Sequence, residues 1–110
     1  MSHERVVKVL SSLGLTTKDI DVYIFLAREG PREMHSLAEE LKMHQPDLAN
    51  SLEILRNKKM VKTTLEINPV QFFAVPFEKV VSQLVEANLK TAEVTEKNKK
   101  NILRKWKSIL

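Results

Sequence analysis

The residues of this chain best suited to chemistry are polar side chains in a segment that opens around Pro46. Gln45, Asp47, Asn50 and Ser51 carry the amide, carboxylate and hydroxyl groups that read base edges in the major groove of DNA. Glutamine and asparagine pair with adenine, and aspartate accepts a hydrogen bond from cytosine. These four residues are the predicted base contacts.

Basic and polar side chains lie on both sides of this segment. They are suited to hold DNA through its phosphates, which positions a protein on the duplex without reading its sequence. The predicted phosphate contacts are Arg32, His35, Ser36, Lys42, His44, Arg56, Lys58, Lys59 and Lys62. Each of them fits an ordinary solvated surface equally well, so this prediction depends on their arrangement.

A helix predicted at about 46–58 positions the base contacts. Three leucines, beginning at Leu48, recur on one face, and Pro46 suits the first helical position because its missing N–H has no partner there. The polar side chains then lie on the other face. A helix at about 33–42, joined to it by a short turn, completes a helix-turn-helix.

The chain then changes from a helical to an alternating pattern. Residues 60–75 are rich in β-branched and aromatic side chains and are interrupted by Asn68 and Pro69, which predicts a β-hairpin, the wing. Phe72 and Phe73 must point to opposite faces of their strand, one to the core and the other to the helix that follows.

Two further helices are predicted before the helix-turn-helix. The first runs from about Ser2 and ends at Gly14, where glycine supplies a C-terminal stop. The second is capped by Thr16, with Asp19 three residues later reaching back in a variant of the capping box, and it ends at Gly30.

A last helix is predicted to start after Pro76 and to continue to Leu110. Unbroken, it is about 50 Å long, more than a domain of this size covers, so a partner is expected. Its two heptad positions form a coiled-coil-like seam with apolar ends and a polar middle. The residues of this predicted homodimer interface are Val81, Val85, Asn88, Ala92, Thr95, Ile102, Trp106 and Ile109. The alternative is a helix that is folded back on its own domain or partly frayed.

The net charge of +4 belongs to this C-terminal segment. Residues 1–76 hold ten basic and ten acidic side chains, whereas residues 77–110 hold eight basic and four acidic ones. A basic helix face gives sequence-independent contact with phosphates, although a solvated coiled-coil surface is its more common role. The basic residues in question are Lys97, Lys99, Lys100, Arg104, Lys105 and Lys107.

Four stretches carry the pattern of a known family. They are Leu-Gly-Leu-Thr-Thr-Lys-Asp-Ile-Asp-Val-Tyr at 13–23, Leu-Ala-Glu-Glu-Leu at 37–41, the helix-to-strand segment at 48–61, and Phe-Phe-Ala-Val-Pro at 72–76. With them the chain resembles the N-terminal winged-helix domain of the TrmB family of archaeal transcriptional regulators.

The resemblance implies a mainly α fold with a small β-hairpin (α+β). A winged helix-turn-helix at 1–76 is followed by a long dimerisation helix at 77–110. It also implies a transcriptional regulator that binds double-stranded DNA as a homodimer. Family members often carry a separate sugar-sensing domain, which 110 residues leave no room for, so no small-molecule effector domain is expected.

Two departures from the family pattern bear on DNA binding. The usual Pro-Arg-Ser-Lys-Val-Tyr opening of the recognition helix is replaced by His-Gln-Pro-Asp-Leu-Ala at 44–49, which removes two basic contacts. The usually basic wing tip reads Glu-Ile-Asn-Pro-Val-Gln at 66–71, so Lys62 is the only cation of the wing. We therefore expect this chain to recognise DNA bases through polar side chains rather than through cationic ones.

Other classes of protein are excluded or left as alternatives. The chain has no cysteine, its three histidines lack metal-ligand spacing, and its two glycines form no phosphate loop, so no enzyme, metal or cofactor is expected. Without a signal peptide or a membrane-spanning apolar run, the expected location is the cytoplasm. A protein-interaction module, suggested by Asp47 and Glu53, and an architectural DNA-coating protein stay open. Specificity for a pseudo-palindromic site separates them from a regulator.

Overall fold

The computed structural model describes residues 2–64, 69–86 and 99–109. Along the chain these form α1 (Ser2–Ser11), α2 (Thr17–Glu29), β1 (Arg32–Glu33), α3 (Met34–Leu41), α4 (Gln45–Asn57), β2 (Val61–Thr64), β3 (Gln71–Ala74), α5 (Phe77–Glu86) and α6 (Lys99–Ile109). The helix pair α3–α4 followed by the hairpin β2–β3 is a winged helix, and the predicted α+β class is confirmed.

Helix α2 begins and ends at its predicted signals, whereas α1 ends at Ser11, three residues before Gly14. The backbone N–H of Asp19 donates to Thr16 Oγ1 at 3.2 Å, and the backbone N–H of Thr16 donates to Asp19 Oδ2 at 3.0 Å, so the capping box is complete. Gly14 and Gly30, with φ of 85° and 90°, follow α1 and α2 in a backbone region that favours glycine.

The three strands form one antiparallel sheet in the order β1-β3-β2. Val61 of β2 faces Ala74 of β3, and Arg32 of β1 faces Phe72 of β3. The hairpin was predicted, whereas β1 was not, because two residues are too few to show an alternating pattern. Phe72 packs against the core and Phe73 lines a groove beside α5 and α6, so the prediction of opposite faces is confirmed.

One core connects the helices with the sheet. Its largest fully buried side chains include Tyr23, Leu10, Leu26, Leu37, Leu48, Leu52, Leu55, Met60 and Ile102. The Tyr23 hydroxyl donates to the backbone carbonyl of Val75 at 2.7 Å, which ties α2 to the end of the wing. None of the helices in the described ranges is both long and apolar enough to cross a membrane.

The C-terminal helices α5 and α6 are not parts of one unbroken helix. The rings of Phe77 and Trp106 stack with their centroids 4.5 Å apart. An unbroken helix places residues 29 positions apart at about 43 Å from each other. Helix α6 instead packs against α1 and α5. The predicted continuous helix is wrong, and the alternative of a segment folded back on its own domain is what the structure has.

This packing changes the position of the predicted dimer seam. Val81, Ile102 and Trp106 are buried in the core of their own protomer, and Ile109 is half-buried against it. A seam that these three buried side chains share with a second copy is therefore contradicted. Asn88, Ala92, Thr95 and the side chain of Val85 lie outside the described residues.

Candidate nucleic-acid interface

A tight turn fixes helix α4 relative to helix α3. Lys42 adopts a left-handed conformation with φ of 55°, and the backbone N–H of Met43 donates to the carbonyl of Ala38 at 3.0 Å. His44 then returns to extended backbone as the N-cap of α4. The helix begins at Gln45, one residue earlier than predicted, and proline lies in its first turn, where the backbone N–H groups need no helical partner.

The face of α4 opposite its leucines is open to solvent. Its buried residues are Leu48, Ser51, Leu52 and Leu55. Its exposed residues are Gln45, Pro46, Asp47, Ala49, Asn50, Glu53, Arg56 and Asn57. At about 100° per residue, Asn50, Glu53 and Asn57 lie at the centre of this exposed face, and Gln45 and Asp47 lie on its two flanks.

Ser51 does not belong to the exposed face. Only 3% of its surface is exposed, and it lies three residues after Leu48 on the buried side of α4. A residue at that spacing occupies the same side of a helix as its partner. A contact with a base needs an exposed side chain, so the buried position of Ser51 contradicts its prediction as a base contact.

Asp47 has a cationic neighbour that the sequence did not indicate. Lys18 Nζ lies 3.6 Å from Asp47 Oδ2, and both side chains are more than half exposed. An ion pair as exposed as this one contributes little to stability. It nevertheless places a positive charge from the first turn of α2 next to the opening of α4.

Arg32 is held by its own neighbours. Its Nε donates to Glu40 Oε2 at 3.1 Å, and its Nη1 donates to the carbonyls of Glu29 and Pro31 at 3.0 and 2.9 Å. These bonds fasten the turn between α2 and β1. Arg32 therefore has a structural role in this turn, and its contact with phosphate stays a prediction.

Two other predicted phosphate contacts lie in the first turn of α3. The exposed His35 Nε2 lies 3.0 Å from Glu39 Oε1, and the hydroxyl of Ser36 donates to Glu33 Oε1 at 3.5 Å. Both side chains thus share their polar atoms with a carboxylate. A phosphate at this position has to compete with those acidic partners.

The remaining predicted phosphate contacts are exposed and surround α4. Lys42 and His44 precede the helix, Arg56 lies in its last turn, Lys58 and Lys59 follow it, and Lys62 lies on β2. Within the part of the chain that the structure describes, none of the six forms an ion pair. Positive charge is therefore available at both ends of the exposed helix.

A cleft of about 400 Å³ separates the start of α4 from the wing. Gln45 and His35 lie on one side of it, and Val70 and Phe72 lie on the other. Val70 is 40% exposed. Gln45 therefore reaches the surface next to an apolar part of the wing. The wing tip at 65–68, with its acidic Glu66, lies outside the described residues.

Sequence reasoning missed Asn57 on the exposed face and used Glu53 only as an indication of a protein-interaction module. Both follow from Asn50 by helical periodicity, because positions three and seven residues later return to the same side of a helix. Asn57 adds a second amide to the face, and Glu53 adds a carboxylate. No sequence pattern indicated that Lys18 lies next to Asp47, because this position depends on the packing of α2 against α4.

An exposed polar helix behind a tight turn, followed by a β-hairpin, defines a winged helix-turn-helix protein. Residues 10–78 match the family model described as "Sugar-specific transcriptional regulator TrmB". Because this match covers more than half of the chain, the protein belongs to the TrmB family of transcriptional regulators. No curated protein sequence matches the chain.

Proposed function

We propose that this protein is a sequence-specific DNA-binding transcriptional regulator that acts as a homodimer. In this proposal α4 enters the major groove and the wing lies beside it. Membership in a family of transcriptional regulators supports DNA binding. The observation that carries the finer proposal is the exposed polar face of α4 with cationic side chains at both of its ends.

In this proposal the amide side chains of α4 contact the bases. Asn50 and Asn57 lie on the centre of its exposed face, and Gln45 lies at its start. Amides form two hydrogen bonds with adenine in the major groove, while Asp47 is suited to accept from cytosine. Phosphate binding falls to the six exposed basic side chains around the helix, which neutralise DNA without reading it.

A homodimer contacts a longer DNA site than a single winged-helix domain does. One recognition helix covers few base pairs, whereas two related by a two-fold axis read half-sites one helical turn apart. Sedimentation in an analytical ultracentrifuge, with and without a pseudo-palindromic duplex, tests this part. A single bound copy on such a duplex would contradict the dimer.

Selection of binding sites from random DNA, followed by anisotropy titrations, tests sequence-specific reading. The Gln45→Ala and Asn50→Ala double variant is expected to lose preference for the selected site over a random duplex, by roughly tenfold or more, because each lost base contact costs about 1–3 kcal/mol. Equal loss on both duplexes would contradict base reading. The Gln83→Ala variant, an exposed amide change on α5, is the matched control.

The Lys58→Gln and Lys59→Gln double variant tests the phosphate contacts. It is expected to bind the selected and random duplexes more weakly by the same factor, and to lower the slope of log affinity against log salt by about 2. An unchanged slope would remove these two lysines from the interface.

One observation favours a second function, that of a protein-interaction module. Glu53 lies at the centre of the exposed face of α4, where a carboxylate repels phosphate. A basic partner protein would instead be attracted to it. Absence of binding to any duplex at low salt would reject the regulator and favour this alternative.

A further inference from the structure

A groove lies on the side of the wing that faces the C-terminal helices. Its volume is about 660 Å³, within the usual size range of small-molecule sites. Its walls come from the end of α2, from β3 and the residues after it, from the start of α5 and from α6. The exposed polar face of α4 lines no part of it, so the groove is separate from the proposed DNA interface.

The lining of the groove is mostly apolar and aromatic. The half-buried Phe73 and Leu103 line it, together with the buried, stacked rings of Phe77 and Trp106. Ala27, on the α2 wall, occupies little of the space. Aromatic rings favour an offset-stacked or edge-on planar ligand. The groove therefore suits a planar aromatic body.

Two opposite charges lie at the edge of this groove. Glu78 and Lys107 both line it and are both exposed. Neither forms an ion pair with another residue in the described ranges. A ligand that carries both an ammonium and a carboxylate complements this pair, whereas a ligand with one charge leaves one of the two residues unmatched.

We propose that this groove binds an aromatic amino acid. The aromatic side chain occupies the apolar part of the groove beside Phe73 and Leu103, the ligand ammonium faces Glu78, and the ligand carboxylate faces Lys107. This site is independent of the proposed function, because it requires neither DNA nor α4.

The chain contains a single tryptophan, so Trp106 reports on the groove directly. L-phenylalanine is the probe, because it does not absorb where tryptophan is excited. Saturable change of Trp106 emission is expected, with a dissociation constant of about 1 mM or lower for a ligand of this size. Isothermal titration calorimetry on the intact protein without DNA checks the same affinity. No saturation at roughly ten times that concentration overturns the proposal.

Charge variants test the orientation of the ligand. Lys107→Gln and Glu78→Gln are each expected to weaken L-phenylalanine binding by about threefold, which is the size of an exposed ion pair. The controls are Lys100→Gln, on the same helix as Lys107, and Glu53→Gln on α4, and both are expected to bind normally. Equal affinity in all four variants overturns the assignment of the two charges.

Two analogues of L-phenylalanine that carry one charge each test separately which residue binds the ammonium and which binds the carboxylate. 3-Phenylpropionate has no ammonium, so its binding is expected to weaken in Lys107→Gln and not in Glu78→Gln. Phenethylamine has no carboxylate and is expected to show the reverse. A change of Trp106 emission with protein concentration alone, with no response to L-phenylalanine, would mean that a second copy covers the groove, and would overturn the proposal.

Discussion

Tyr23 is the residue at which α2, the wing and the C-terminal segment meet. Its hydroxyl donates to the carbonyl of Val75, and its ring centroid lies 5.8 Å from that of Trp106. The Tyr23→Phe variant keeps the ring and leaves a buried carbonyl without its donor. We expect it to lower the free energy of unfolding by about 1–2 kcal/mol in urea denaturation. An unchanged free energy would show that this hydrogen bond does not stabilise the fold.

The same residue predicts a loss of stability at alkaline pH. Burial raises the pKa of the Tyr23 phenol above its ordinary value, because the charged form is poorly solvated there. The folded protein therefore keeps a proton that the unfolded chain loses above about pH 10, and stability falls as the pH rises beyond that value.

Lysines also titrate in that range, so the Tyr23→Phe variant is the reference. Urea denaturation of both proteins at a series of pH values isolates the phenol. The stability difference between them is expected to shrink, and then to reverse, as the pH rises. A constant difference would contradict the buried, neutral phenol.

The capping box of α2 gives a third prediction for single residues. Thr16→Ala removes the hydroxyl that accepts from the backbone N–H of Asp19, and is expected to cost about 1 kcal/mol. Thr17→Ala, one position later, removes an exposed hydroxyl outside the box and serves as the control. Equal effects of the two changes on urea denaturation would mean that the cap is not specific.

Features that depend on residues close together in the sequence, such as this cap, could be predicted. Contacts between residues far apart in the sequence could not. The spacing of Thr16 and Asp19 is enough to predict a box, because both partners lie within one helical turn. The hydrogen bond of Tyr23 to the carbonyl of Val75, 52 positions later, instead depends on how α2 packs against the end of the wing. Ser51 is a different case, since its buried position follows from its spacing to Leu48.

Among the elements, helix α4 carries a negative charge on the face that is proposed to contact DNA, and this charge opposes DNA binding. Glu53→Gln removes a carboxylate from the centre of the exposed face. We expect binding of every duplex to strengthen by about threefold, because repulsion of phosphate is removed. Glu29→Gln, at the other end of α2 from Lys18, is the control. Weaker binding to the selected site alone would instead make Glu53 a reader of cytosine.

The C-terminal helices show what amphipathic patterns leave undetermined. An apolar stripe indicates that one face of a helix is buried. It does not indicate whether the same protomer or a second copy covers that face. Ile102 and Trp106 fit a coiled-coil seam in sequence, but in the structure both are buried in the core of the protomer, where Trp106 stacks on Phe77. Likewise, the strand β1 exists because β3 offers it a partner, and two residues carry no pattern of their own. Both outcomes depend on tertiary contacts.

For the whole molecule, helix α6 contributes buried apolar side chains to the core of the protomer. Ile102 and Trp106 are part of the same buried cluster as Leu10 of α1 and Val81 of α5. The C-terminal segment thus completes the core of the protomer. Its removal would expose apolar surface that belongs to the DNA-binding fold itself.

The Trp106→Ala variant distinguishes a protomer core from a dimer seam. Trp106 is 6% exposed and contacts both Phe77 and Tyr23, so its loss is expected to lower the free energy of unfolding by about 3–5 kcal/mol. Urea denaturation followed by circular dichroism is the measurement, at several protein concentrations. Lys100→Ala, an exposed change on the same helix, is the control. A variant that keeps its stability but no longer forms dimers would place Trp106 between two copies and contradict the folded-back arrangement.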